Sequence, residues 1–258
     1  MGSYDLTHPV NVAILSLALA RTVQLSKREQ QSVGIAALLH DVGQLDVPGD
    51  LLSGNAELSQ EAWASMRQHT IHGAARLLEA GPLELVAPAA LAALEHHMGA
   101  SSGGYPQVPA ENAPDLVSRI VHIADTYDAL TSRRVYRQCS VHPDRALAFL
   151  LQYAGDKFDP LLVKLFVHTL GFYPPGTTIR LDTDEVGVVV RPNRHPKLLH
   201  RPRVCLMLNA KGEPVERDTF VDLDEVEGSS EDYVHSVGQT LDPEPLGISP
   251  TALFLAGE

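Results

Sequence analysis

Two adjacent pairs of ionisable residues close apolar runs in this chain. "AALLHDVGQLDVP", Ala36 to Pro48, ends a helical pattern with His40 and Asp41, and "LAALEHHM" ends another with His96 and His97. Ionisable groups at the inner end of an apolar helix are costly to bury without a partner. His8, His69 and Asp125 stand in comparable places, each on or at the end of a predicted helix. Imidazoles and carboxylates are the donors that borderline and hard divalent metals take. Any one of these histidines alone reads as a satisfied core or surface side chain. The seven residues together, with two neighbouring pairs among them, read as a metal set. One metal rarely needs so many ligands, whereas two metals sharing a bridging carboxylate would use them.

Helices must position these groups. "VNVAILSLALARTVQL" is apolar at helical spacing, and "SKRE", Ser26 to Glu29, is a capping box that opens the run ending at His40. A polar turn is expected over "DVPGDLLSGNAELS". Helical patterns return in "QEAWASMRQH", "TIHGAARLLEAG", "ELVAPAALAALEHHM", "LVSRIVHIADTYDALTS", "PDRALAFLLQYAG" and "PLLVKLFVHTLG", broken by the Gly/Pro/Ser-rich loop "GASSGGYPQVPAENAP". The period changes near Phe172. "PPGTTIRLDTDEVGVVVRPN" alternates like strands, "RPRVCLMLNAKGEPV" reads as a hairpin turning at Lys211-Gly212, and the tail from Asp222 is acidic and weakly patterned. The expected fold is therefore mainly α, a helical bundle with a small C-terminal β appendage. The expected domains are 1–171 and 172–258.

The 258 residues suffice for one large domain plus a small one. A formal charge of -12 argues against a surface that coats a nucleic acid polymer. No apolar run is long enough to span a bilayer. Two lone cysteines, Cys139 and Cys205, suggest a reducing, cytoplasmic setting. Met1-Gly2-Ser3 reads as an artificial start, so an upstream regulatory domain is expected to be missing. There is no P-loop or GxGxxG.

From His8 to Pro160 the chain resembles the HD-GYP family of HD-domain metal phosphohydrolases. "LLHDVGQLDVP" is similar to the family's "LLHDIGKIGIP", and "MRQHTIHGAARLL" to its "H-x-x-x-G" helix. "EHHMGASSGGYP" stands where the family has "HHERWDGSGYP". "RIVHIADTYDALTSRRVYR" resembles "RIVAVADVFDALTSDRPYR", and "GDKFDPLLV" its "GxxFDPxLV". The resemblance implies an HD-domain bundle in which His8, His40, Asp41 and Asp125 hold one metal. Asp41 would bridge to a second metal held by His69, His96 and His97. The metals it implies are two divalent ions, iron or manganese. A third metal would need a glutamate where this chain has Tyr4. The implied activity is hydrolysis of cyclic di-GMP to linear pGpG, and on to GMP in some members of the family, through a hydroxide shared by the metals. Asp41 and Asp128 are the implied catalytic carboxylates, Asp128 by orienting a ligand or water. Gln44, Tyr105, Arg134 and Arg137 are the implied substrate contacts, and a diguanylate cyclase is an implied partner.

The chain departs from the pattern at chosen points. Gln44 replaces the lysine of "HDxGK", and Met98, Gly99 and Ser101 replace charged residues of the loop. The loop is therefore expected to be looser, and turnover slower. An alternative reading is a weak or inactive module that binds cyclic di-GMP or a signalling protein. His72, His122, His142, His168, His195, His200 and His235 are expected to be bystanders.

Overall fold

The computed structural model describes residues 4–52, 59–101, 103–107, 113–132, 141–216, 218–226 and 232–255, with the backbone only for 4–6, 50 and 52. The chain is mainly α with a small antiparallel sheet. It forms two compact units, one of residues 1–141 and 148–166, the other of 142–147 and 167–258.

In the first unit, α1 (Tyr4–Thr22) pairs with α2 (Lys27–Leu39), which opens on the Ser26/Glu29 capping box and is capped at its end by His40. A 3-10 helix, Val42–Asp46, leads into the expected turn, and the start of that turn is one turn of helix, α3 (Gly49–Leu52). Residues 53–58 lie outside the described residues. There follow α4 (Gln60–Arg67), α5 (His69–Ala80), α6 (Leu83–Glu95) and α7 (Leu116–Thr131), while α8 (Pro143–Gln152) and α9 (Pro160–Leu170) are each divided between the two units. Asp159 caps α9, accepting from the Leu161 and Leu162 amides, and takes a 2.6 Å bond from Arg119 of α7.

The core joining α1, α2, α5, α6 and α7 is made largely of alanine: Ala13, Ala36, Ala37, Ala89, Ala90, Ala92, Ala93 and Ala124 pack with Val12, Leu77 and Val121. Small side chains let helix backbones approach closely, which brings the helix ends into one place. The closest approach is between Gly43 and Gly73. A Cβ on Gly43 would fall inside the van der Waals shell of the His69 carbonyl oxygen and the Gly73 amide. A Cβ on Gly73 would stand 3.2 Å from the Gly43 nitrogen. The two glycines therefore seat the 3-10 helix directly on the first turns of α5.

In the second unit the sheet order is β4-β3-β2-β1-β5, all antiparallel, from β1 (Thr178–Leu181), β2 (Val186–Arg191), β3 (Arg203–Leu208), β4 (Phe220–Asp222) and β5 (Val237–Leu241). The expected hairpin turning at Lys211-Gly212 forms: Asn209 N bonds Glu213 O at 2.8 Å, Val215 N bonds Met207 O at 3.0 Å and Leu208 bridges Pro214, after which β4 pairs with β3. One sequence expectation is corrected here. The weakly patterned acidic tail supplies β5, which pairs with β1, and a short helix, α10 (Pro250–Leu255). Strand β5 is mostly exposed or half-buried, so its sequence lacks the alternation that marks a two-faced strand. Among the described residues no helix is long and apolar enough to cross a membrane.

The glycine contact is testable. Gly43→Ala must push α5 away from the 3-10 helix, and overpacking of this kind costs about 1–3 kcal/mol. The variant is expected to melt about 3–10 °C lower by circular dichroism. An unchanged melting temperature would show that the two backbones separate freely.

Candidate metal centre

The sequence puts five of the seven candidate residues at helix ends. His40 caps α2 with Asp41 next to it, His69 opens α5, and His96 caps α6 with His97 next to it. His8 and Asp125 project from within α1 and α7. The fold brings all seven together. His8, His40, His69, His96 and Asp125 are buried, and Asp41 and His97 are partly so.

Backbone carbonyls orient three of the imidazoles. The Nδ1 atom of His40 donates to Ala37 O at 2.7 Å, that of His69 to Met66 O at 2.7 Å, and that of His96 to Ala92 O at 2.9 Å. A carbonyl oxygen only accepts, so each of these rings carries a proton on Nδ1, and in its neutral form presents a lone pair at Nε2. Those lone pairs converge on the Asp41 carboxylate. Its Oδ2 lies 3.4 Å from His40 Nε2 and 3.8 Å from His8 Nε2. Its Oδ1 lies 3.4 Å from His69 Nε2 and 3.6 Å from His96 Nε2. His69 Nε2 and His96 Nε2 are only 3.4 Å apart. Buried His40 Nε2 and Asp41 Oδ1 make no hydrogen bond. Lone pairs facing a carboxylate in a dry site repel unless a cation stands among them. The donors that surround this point form two groups, His8/His40/Asp41 and His69/His96/His97, each within 4.8 Å of one another. Both groups can hold a metal ion, and the donor chemistry fits a divalent one.

Asp125 adds a second carboxylate, with Oδ1 3.1 Å from His8 Nε2 and Oδ2 4.0 Å from His97 Nδ1. Burial alone would push the His8 imidazole down, but hydrogen bonds to Asp125 and Asp128 hold it up at about 10. Burial works to raise Asp41, yet His40 and His96 keep it well below the usual carboxylate range. Asp125 is likewise held low, chiefly by the His8 hydrogen bond against the cost of burial. Burial and the neighbouring His96 hold His97 well below an ordinary histidine. The site is thus built to keep carboxylates ionised, which a cation requires of its ligands.

Asp128 does not reach into the site. Its Oδ2 accepts from His8 Nδ1 at 2.7 Å, and its Oδ1 accepts from Asn11 Nδ2 at 2.9 Å and from Ser132 Oγ at 2.8 Å. With both oxygens taken, it is a positioning residue that fixes the ring of His8. Asn11 was not singled out by the sequence reading, although it lies one helical turn after His8. Glu95 was also passed over. Its Oε2 accepts from the Asp115 amide at 2.9 Å and from Ser118 Oγ at 2.7 Å, tying the end of α6 to the start of α7.

On the solvent side, His97 stacks against Tyr105 with ring centroids 4.6 Å apart, and Tyr105 lies 6.1 Å from His69. Arg67, in the last turn of α4, sits over the Tyr105 ring at 5.4 Å. This guanidinium escaped the sequence reading because nothing in the spacing links α4 to the loop. The described part of the loop is not loose. Gly99 N bonds Gly103 O, Tyr105 N bonds His97 O, and Ala100 N and Ser101 N bond Lys157 O and Asp156 O, all at 3.0–3.1 Å. Backbone bonds do the work expected of the missing charges. His122, expected to be a bystander, is half-buried with its ring 4.8 Å from that of Phe158, and desolvation lowers it to about 4. Gln44 is half-buried in the 3-10 helix three residues after Asp41. Arg134 and Arg137 lie outside the described residues, as does the side chain of Tyr4.

A family model for the HD domain matches residues 6–162. The chain is 32% identical over 220 residues to a protein of Pseudomonas aeruginosa named cyclic di-GMP phosphodiesterase PA4108, covering 85% of this chain and 52% of that one. It is 34% identical over 145 residues to the cyclic di-GMP phosphodiesterase response regulator RpfG of Xanthomonas campestris, covering 56% and 38%. It is 30% identical over 157 residues to 3'3'-cGAMP-specific phosphodiesterase 3 of Vibrio cholerae, covering 61% and 33%. The chain spans about half the length of the first of these relatives and a smaller share of the others.

Two substitutions separate the roles of the carboxylates. Asp41→Ala is expected to abolish metal binding, because both groups of donors face its oxygens. Asp128→Ala should leave the fold intact and weaken metal affinity by roughly 10–100-fold, the usual effect of removing a ligand's supporting partner. Titration of metal-stripped protein with Mn(II) checks both. Wild-type affinity in Asp128→Ala would mean that His8 holds its place unaided.

Proposed function

The chain belongs to the HD domain family, in its HD-GYP branch, and from that premise we propose that it is a metal-dependent phosphodiesterase acting on cyclic di-GMP. The products would be linear pGpG and GMP. The observation that carries this reading is the Asp41 carboxylate, turning one oxygen to His8 and His40 and the other to His69 and His96. That arrangement supports two cations, with His8, His40, Asp41 and Asp125 around one and His69, His96, His97 and Asp41 around the other. Iron or manganese suits this mixed nitrogen and oxygen set. When bound, such cations neutralise phosphate oxygens and make hydroxide available at neutral pH.

The protein's own residues then orient and bind. Asp128, braced by Asn11 and Ser132, holds the His8 ring. Tyr105 and His97 form an aromatic wall on which a guanine base could stack, and Arg67 brings a positive charge to that wall. Gln44 contributes a neutral amide where the family has a cation. We assign the activity to residues 1–171, with 172–258 as an extension, following the change of period near Phe172. The free, buried thiol of Cys205 supports a cytoplasmic setting.

The test is elemental analysis of purified protein followed by chromatography of its products from cyclic di-GMP and, in parallel, 3'3'-cGAMP. About two transition metals per chain and appearance of pGpG are expected. A metal-free protein that added iron or manganese does not activate would overturn the reading. A fully metallated protein that binds cyclic di-GMP without cleaving it would instead make it a binding module.

A second outcome concerns charge. Charge-assisted hydrogen bonds contribute about 1.5–3 kcal/mol and neutral ones about 0.5–1.5. Gln44→Lys is therefore expected to raise kcat/KM for cyclic di-GMP by roughly fivefold to tenfold at unchanged metal content. Arg67→Gln is expected to raise KM with little change in kcat. No gain in folded, metallated Gln44→Lys would mean that position 44 does not face the phosphate.

A further inference from the structure

The chain carries 32 acidic and 20 basic side chains, yet residues 191–203, "RPNRHPKLLHRPR", hold five of the lysines and arginines and no acid. This segment leaves β2 and enters β3 in the second unit. The strand register sets Arg191 directly opposite Arg203. Like charges so placed on paired strands destabilise the sheet. Asp222, opposite Arg203 on β4, offsets one of them through a 3.2 Å ion pair. Arg191 makes no ion pair among the described residues.

A cleft of about 310 Å³ opens at this point, lined by Arg191, Arg194, Arg201 and Arg203 together with Asp222 and Asp224. Its walls are built. Arg201 lies flat on the Tyr233 ring at 3.3 Å, and its Nη1 donates to Leu223 O and His235 O at 2.9 Å. Asn193 donates to Asp224 Oδ2 at 2.8 Å and accepts from the His195 amide at 2.9 Å, which fixes the turn and occupies that carboxylate. Arg203 is paired and Arg201 is committed to the wall. Arg191 and Arg194 are exposed, and neither side chain ion-pairs among the described residues. Two uncommitted guanidinium groups therefore edge one preformed cleft, against the sign of the whole chain's charge.

We propose that this cleft is an anion site that takes the phosphate monoester of a small ligand. A monoester dianion offers two charges to two cations, and its oxygens match the forked N–H geometry of arginine. The cleft volume lies at the lower end of the range for small-molecule sites, about 300–1,000 Å³, which suits a mononucleotide or free phosphate. The site is distinct from the metal centre and does not depend on the activity proposed above.

The test is amide NMR of the full chain titrated separately with inorganic phosphate, GMP and cyclic di-GMP. Phosphate and GMP are expected to shift the amides of Asn193, Arg194 and His195 saturably, and less so as salt is raised. Tighter binding of GMP would identify a nucleotide as the source of the phosphate, and equal affinity would identify free phosphate. Cyclic di-GMP lacks a monoester and is expected to leave these amides unmoved. Arg191→Gln/Arg194→Gln should weaken phosphate binding at least tenfold. Wild-type spectra in which residues 191–203 do not respond to phosphate or GMP would overturn the proposal. So would unchanged affinity in a double variant with the wild-type melting temperature, or a response to cyclic di-GMP equal to that to GMP.

Discussion

Nearly everything in the helical unit follows from one constraint: bare imidazole lone pairs are aimed at a carboxylate inside a protein. Three of them are aimed by a backbone carbonyl at the end of a helix, and that of His8 by Asp128. His40 bonds Ala37 O, His69 bonds Met66 O and His96 bonds Ala92 O, so the last turn of one helix or the turn before another sets the tautomer. An imidazole could escape the repulsion by rotating, but the 2.7–2.9 Å carbonyl bonds and complete burial prevent it. The remaining relief is a positive charge among the donors. Without metal, protons can supply part of it, as the raised His8 indicates. A divalent cation supplies more, and it does so while leaving the carboxylates ionised.

Such a convergence sets demands on the packing. Helix ends must approach within a few ångströms, which bulky side chains would forbid. The alanine-rich core and the Gly43–Gly73 contact meet that demand. The outer contacts then remove residual freedom. Asp128 and Asn11 hold His8, Glu95 ties α6 to α7, and Asp159 ties α9 to α7 through Arg119. None of these touches the point of convergence, yet each fixes an element that carries a donor. The motif glycines and the aspartate of "GDKFDPLLV" thus have packing and capping duties that can be stated without reference to chemistry.

How much of this could be read from the sequence depends on the range of the interaction. Local signals read well: the Ser26/Glu29 capping box opens α2 as its spacing predicts, and the His40-Asp41 and His96-His97 pairs mark helix ends. Long-range partners did not. Asn11 meets Asp128 across more than a hundred residues, and Arg67 meets Tyr105 from a helix with no motif of its own. Strand β5 was missed because exposed edge strands need no apolar alternation. The loop was expected to be loose because charge and glycine content were weighed, whereas its backbone bonds to Asp156 and Lys157 are invisible to composition.

The balance of charge around the site is the least conventional feature. On the proposed activity, a chain of formal charge -12 would have to draw a phosphodiester toward two ionised aspartates. Cations held by the two donor groups would be partly neutralised by Asp41 and Asp125. Further attraction would then fall to side chains, and Gln44, three residues after Asp41, carries only a neutral amide. The Arg67 guanidinium over Tyr105 is the compensating feature that the described residues offer, and it lies at the aromatic wall rather than beside Asp41. A cation placed there would favour holding the nucleotide over stabilising charge that develops on the reacting phosphate. Uniform binding of that kind lowers KM without raising kcat. Under the proposed activity, the glutamine at 44 and the arginine at 67 would together suit capture at low ligand concentration more than rapid turnover.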